Sequence, residues 1–211
     1  MGGSHQDCLR ATGLELWRGD RCLFRDLNLA VSAGELLHVT GANGSGKTSL
    51  LRVLTGLSRP EEGTVEWNER SIHRARQAFQ LDMGYVAHHD GVYDDLTLSQ
   101  NLQWGAGLHR DISPQTVREY LEEIGLGFAL DVPAYALSAG QKRRLSLARV
   151  HLSQKRLWIL DEPLANLDVE ARQWCDDLIA QHVQNGGLVI ATSHQALCGD
   201  RVTRRELEIV A

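Results

Sequence analysis

The run Gly41, Ala42, Asn43, Gly44, Ser45, Gly46, Lys47, Thr48 restricts the possible folds of this chain more than any other segment. Before it, Glu35 to Thr40 reads as a short buried strand; after it, Ser49 to Leu57 reads as a helix with leucines at 50, 51, 54 and 57. Strand, glycine-rich turn and helix in that order match the pattern G-x-x-x-x-G-K-[ST]. Glycines lack a Cβ, so consecutive backbone N–H groups can point inward at one anion, and the helix aims its positive dipole end at the same place. The pattern predicts that Lys47 reaches β- and γ-phosphates, that the Thr48 hydroxyl ligates Mg²⁺ and that Ser49 offers a donor near an α-phosphate. A dinucleotide fingerprint is excluded, because G-x-G-x-x-G does not occur with its spacing at the strand end.

Leu157-Trp158-Ile159-Leu160-Asp161 is the second informative segment, followed by Glu162 and Pro163. Four apolar residues ending in a carboxylate read as a central parallel strand that delivers Asp161 to the carboxyl edge of a sheet, where ligands bind in doubly wound folds. Asp161 is then expected to hold Mg²⁺ through a water, opposite Thr48. One residue further on, Glu162 can polarise the water that attacks a γ-phosphate.

Together these segments resemble the ATP-binding cassette (ABC) nucleotide-binding domain, over roughly residues 9 to 210. Leu137-Ser138-Ala139-Gly140-Gln141 is similar to that family's signature, usually Leu-Ser-Gly-Gly-Gln. By itself this segment is a capped helix start, with Ser138 a good N-cap and Gly140 allowing close approach of backbone to an anion. The resemblance implies that Ser138, Gly140 and Gln141 cap the γ-phosphate held by a second copy. It also identifies Ala165 to Asp168 as a loop crossing the dimer interface, with Asp168 counted among the nucleotide-site residues. His194, at the end of the run from Leu188, becomes the switch histidine that contacts the γ-phosphate and helps hold Glu162. The implied fold is α/β: a RecA-like P-loop core, an antiparallel β subdomain and a small inserted helical lobe at about 89–150, all within one domain spanning 1–211.

Two positions depart from the family pattern. The glutamine expected near Mg²⁺ after the strand Met83 to Ala87 is His88, followed by His89. A neutral imidazole still makes one hydrogen bond at that place. The aromatic ring expected to cover adenine falls, by spacing from Gly19-Asp20, on Arg18, with Trp17 just before it. Either the guanidinium plane or the indole can cover the base.

Composition sets further limits. A net charge of −5 argues against a basic nucleic-acid footprint, and Arg143, Arg144 and Arg149 read as one local helix face. Cys8, Cys22, Cys175 and Cys198 form no C-x-x-C pair and read as reduced cytosolic thiols. No apolar run approaches bilayer-spanning length, the N-terminus lacks a charged-then-apolar signal, and Gln6 breaks the myristoylation pattern. A hairpin is expected from Leu9 to Leu16 and Leu23 to Val31, an extra strand at Gly63 to Trp67, helix periodicity from Leu96 to Leu130 and a last strand from Glu206 to Val210.

A narrower resemblance, to the cytochrome c maturation subgroup, rests on Leu23 to Leu29, Gly46 to Arg52, Leu96 to Leu102, Leu137 to Arg144 and Leu157 to Pro163. That subgroup is short, often has histidine for the glutamine and often has arginines at the adenine position. The resemblance implies an ATP- and Mg²⁺-dependent ATPase, dimeric, peripheral on the cytoplasmic face of the bacterial inner membrane. Its implied partner is a CcmB-like integral membrane protein, and its cycle serves haem export or release of a haem-loaded chaperone. Alternatives are an ABC subunit for another cargo or a soluble ABC scaffold of the iron–sulfur assembly type. A P-loop kinase would leave Leu137 to Gln141 unexplained.

Overall fold

The computed structural model describes residues 7–107 and 112–210. The N-terminal expectations, Gln6 included, and the middle of the Leu96 to Leu130 stretch therefore lie outside the described residues.

Two sheets share the first hydrophobic core. One is antiparallel, in the order β2-β1-β4-β5, built from β1 (Cys8–Arg18), β2 (Arg21–Ser32), β4 (Glu62–Trp67) and β5 (Arg70–Ser71). The expected hairpin is present, and the expected strand at Gly63 to Trp67 pairs antiparallel with β1 rather than joining the parallel sheet. The second sheet is all parallel, in the order β6-β7-β8-β3-β9, with β3 (Glu35–Thr40), β6 (Met83–Val86), β7 (Leu157–Asp161), β8 (Leu188–Thr192) and β9 (Thr203–Glu208). Because all five strands run the same way, their carboxyl ends share one edge. Asp161 pairs with Thr192, and Thr192 with Val39 on the other side.

Strand periodicity decides which core each residue joins. Leu157 and Ile159 point into the cluster with Leu50, Leu54 and Val31, beneath the antiparallel sheet and α1 (Lys47–Leu54). Trp158 and Leu160 point the other way, against Leu147 of α5 (Ala139–Leu152) and Ile179 of α6 (Val169–Gln184). A sheet covered on both faces explains why β7 and β8 read as unbroken apolar runs. Each such buried leucine or isoleucine contributes about 1.5–3 kcal/mol.

Several boundaries differ from the sequence reading. The helix after the glycine-rich loop runs from Lys47 to Leu54, because Thr55 turns its hydroxyl onto the Arg52 carbonyl and closes it early. The long periodic stretch contains two helices, α3 (Leu98–Gly107) and α4 (Pro114–Glu123). Ser113 caps α4 by accepting from the Thr116 N–H at 3.1 Å, with Pro114 at the first helical position. These helices pack with α5 around a third apolar cluster that includes Leu102, Leu121 and Leu145. The last strand begins three residues earlier than expected and is polar along most of its length, so its apolar signal is weak. α2 (Arg76–Asp82) and α6 were not anticipated.

Candidate functional site

The carboxyl edge of the parallel sheet opens into a cleft of about 440 Å³, lined by the glycine-rich loop, the ends of β7 and β8 and the first hairpin. Gly46 sits immediately before α1 with φ 110°, a left-handed region closed to most side chains, and a Cβ there would stand 3.2 Å from that of Leu23. Lys47 is 9 % exposed, and its ammonium donates to the Gly41 and Ala42 carbonyls at 2.8 and 3.1 Å. Within the same loop the buried Ser45 hydroxyl has no hydrogen-bond partner among the described residues.

Across the cleft, the Thr48 hydroxyl donates to Asp161 Oδ2 at 2.9 Å. Thr192, fully buried, donates to Asp161 Oδ1 at 2.7 Å and accepts the Glu162 N–H at 2.9 Å. Asp161 is 2 % exposed, and a buried carboxylate needs such donors on both oxygens. The electrostatics are felt nearby: burial first, and then the Asp161 charge, raise the pKa of the Tyr85 phenol. His194 Nε2 lies 3.5 Å from Glu162 Oε1. The segment leading to His194 is fixed from below, where His38 in β3 donates to the Ser193 carbonyl at 3.0 Å.

Asn43, Gly44, Gly46, Lys47, Thr48, Ser49, His88, Asp161, Glu162 and His194 all line the cleft, although they come from four separate parts of the chain. Arg18 lines it too; Trp17 does not, its indole N–H donating to Glu15 and its ring lying 5.5 Å from the Arg25 guanidinium. Arg21, paired with Arg18 across the hairpin, is a second cleft arginine that the sequence reading missed. Thr192 was missed as well, although its place at the end of the strand preceding His194 was the available signal.

Ser138, Gly140, Gln141 and Asp168 lie away from this cleft. Ser138 and Gln141 form a capping box: the Gln141 N–H donates to Ser138 Oγ at 3.2 Å and the Ser138 N–H to Gln141 Oε1 at 2.8 Å. Asp168 caps α6 by accepting the Ala171 N–H at 2.8 Å. A Cβ on Gly140 would fall 2.5 Å from the Asn166 carbonyl oxygen, so the glycine admits the neighbouring loop of its own chain. One expectation needs correcting. Arg143, Arg144 and Arg149 do not share one face: Arg143 and Arg149 donate to the Ala87 and Gly91 carbonyls, whereas Arg144 donates to that of Ile124, and Arg143 is 2 % exposed.

With this geometry in place, comparison with known proteins is informative. Residues 24–165 match the family described as ABC transporter. The Cytochrome c biogenesis ATP-binding export protein CcmA of Methylococcus capsulatus is 46% identical over 190 residues, 90% of this chain and 92% of that protein. The CcmA proteins of Escherichia coli and Vibrio vulnificus are 42% and 39% identical, covering 90% and 95% of this chain and 90% and 98% of their own length. A solved ATP-binding subunit of an ABC transporter superposes with a TM-score of 0.81 at 22% identity, over 96% of this chain and 88% of that one, a likeness of fold.

Proposed function

The chain belongs to the ABC transporter family, among the CcmA ATP-binding proteins of cytochrome c biogenesis, and from that premise we propose how its residues divide the work of ATP hydrolysis. Lys47 exchanges its two loop carbonyls for β- and γ-phosphate oxygens, with the loop N–H groups and the start of α1 around them. Thr48 and Asp161 would hold Mg²⁺, with His88 among the residues that line the same cleft. Hard oxygen donors suit that ion, which usually keeps waters and phosphate ligands. The ion would neutralise charge on the phosphates.

Glu162 takes a proton from the water that attacks the γ-phosphorus; the bond to the bridging oxygen breaks, and ADP and phosphate leave. His194, 3.5 Å from that carboxylate, orients it and donates toward the γ-phosphate. Arg18 covers the base. The Thr48–Asp161 contact, with Glu162 and His194 beside it, is the observation that carries this assignment.

The complete site is shared between two copies. Ser138, Gly140 and Gln141 of one copy reach the γ-phosphate held by the other, and Asp168 lies at the contact. ATP then holds the pair closed, and hydrolysis releases it. The dimer works on a CcmB-like integral membrane protein at the cytoplasmic face of the inner membrane, in export for c-type cytochrome assembly. No described helix is long and apolar enough to cross a membrane.

Glu162→Gln should lower turnover by roughly 100-fold or more and leave an ATP-bound dimer on a sizing column. Hydrolysis at the parental rate would remove Glu162 from its role.

A further inference from the structure

Arg143 lies one turn inside α5 and is almost wholly buried, yet it serves none of the roles assigned above. Its guanidinium forks between two loops. One nitrogen donates to the Ala87 carbonyl at 2.7 Å and to the Asp90 carboxylate at 2.9 Å. The other donates to the Asp161 carbonyl and, at 2.8 Å, to that of Glu162. These acceptors lie at or just past the ends of the adjacent parallel strands β6 and β7, so one rigid fork fastens both strand ends to one helix.

Glu162 is where that fastening matters. Its φ of 52° is left-handed, a strained region for a residue with a Cβ. The strain is held from both sides, by Thr192 on its N–H and by Arg143 on its carbonyl. The direction of the carboxylate is set by this backbone. The loop that begins with His88 is fastened along the same face of α5, through Lys142 to Asp94 at 2.6 Å, Ser146 to the Asp90 carbonyl and Arg149 to the Gly91 carbonyl. Residues 142, 143, 146 and 149 recur at helical spacing, so α5 acts as a rail for that loop.

We propose that Arg143 is a positioning residue: it holds the Glu162 backbone and the strand end before His88 in register with the helix whose N-terminus Ser138 caps. This rests on the role given to Glu162 above. The N-terminus of α5 faces the nucleotide of the other copy in that reading, so Arg143 links occupancy of the neighbouring site to the geometry of the carboxylate in its own. Lysine cannot replace it, because one ammonium cannot reach both strand ends in a fixed fork.

The test compares ATP binding, yield of ATP-bound dimer and turnover for the full chain, Arg143→Lys and Asp90→Asn. Arg143→Lys should lower kcat about tenfold or more, since a displacement of roughly 1 Å in a catalytic group has effects of that order. Affinity for ATP should stay within about threefold, and ATP-bound dimer should accumulate as it does for Glu162→Gln. Asp90→Asn should shift kcat the same way but less, because the backbone bonds of Arg143 remain. Affinity, dimer and turnover falling together would make Arg143 a strut of the fold and overturn the proposal, as would parental kcat in Arg143→Lys. Should thermal unfolding show Arg143→Lys to be misfolded, Asp90→Asn decides alone, and parental kcat there overturns it. A parental chain without ATPase activity, or an active Glu162→Gln, would instead break the assignment of Glu162.

Discussion

The glycine-rich loop and the N-terminus of α5 treat their functional residues in opposite ways. Around the loop, side chains from five parts of the chain converge on one cleft, with Lys47, Thr48, Asp161 and Thr192 already linked. At the start of α5, Ser138 and Gln141 satisfy one another, and Gly140 is pressed against Asn166. The first arrangement is a site built inward. The second is an ordered helix end outside that cleft, capped by its own residues. Its backbone N–H groups and dipole suit an anion, and within this chain the candidate phosphate cleft lies elsewhere.

The largest test of that contrast is Ser138→Asp. Aspartate caps a helix about as well as serine, so α5 should stay folded, but a carboxylate facing a γ-phosphate would repel it. Turnover should fall roughly 10- to 100-fold, as for loss of a charged hydrogen bond, while ATP binding to the separate chain is unchanged in equilibrium titration. Weaker binding to the separate chain would mean that Ser138 belongs to its own cleft.

A smaller effect separates the two candidates for covering the base. Arg18→Ala should raise the KM for ATP roughly fivefold, the scale of a cation–π contact. Trp17→Ala should leave KM unchanged, since its ring sits beside Arg25 outside the cleft. The reverse ranking would move the base to the indole.

The smallest effect concerns the opposite side of the sheet, where Trp158 stacks on His182 with ring centres 3.8 Å apart and His151 meets its edge. Burial lowers the His182 pKa from 6.5 to about 4, and burial lowers that of His151 too. The unfolded chain therefore binds more protons in that window. Stability should be fully present above pH 6.5 and fall as pH drops toward about 4. His182→Phe keeps a ring over Trp158 and should flatten that slope in thermal unfolding. An unchanged slope would assign the loss to carboxylates elsewhere.

Much of the cleft was legible because its chemistry is local in sequence. The glycines, Lys47 and Thr48 fall within one short run at the start of α1, and an apolar run ending in Asp161 and Glu162 has few other readings. Arg143 was not legible. An arginine among charged neighbours on a helix looks solvated, and only the tertiary fold brings the Ala87 and Glu162 carbonyls to it. The choice between Trp17 and Arg18 was equally hidden, because adjacent strand residues face opposite ways and bulges shift the register of β1 beside them. The break between α3 and α4 was written in Ser113-Pro114, a helix-start signal that apolar periodicity overran.

The most direct measurement mixes two damaged chains. Lys47→Ala lacks the phosphate lysine but keeps its own α5 N-terminus; Ser138→Asp has the reverse defect. Each alone should be nearly inactive, and mixing should rebuild one intact composite site per heterodimer, restoring roughly a quarter of parental turnover at equal amounts if pairing is random and each site fires alone. A mixture no more active than its two components, with both folded and Ser138→Asp still binding ATP, would contradict a site shared between copies.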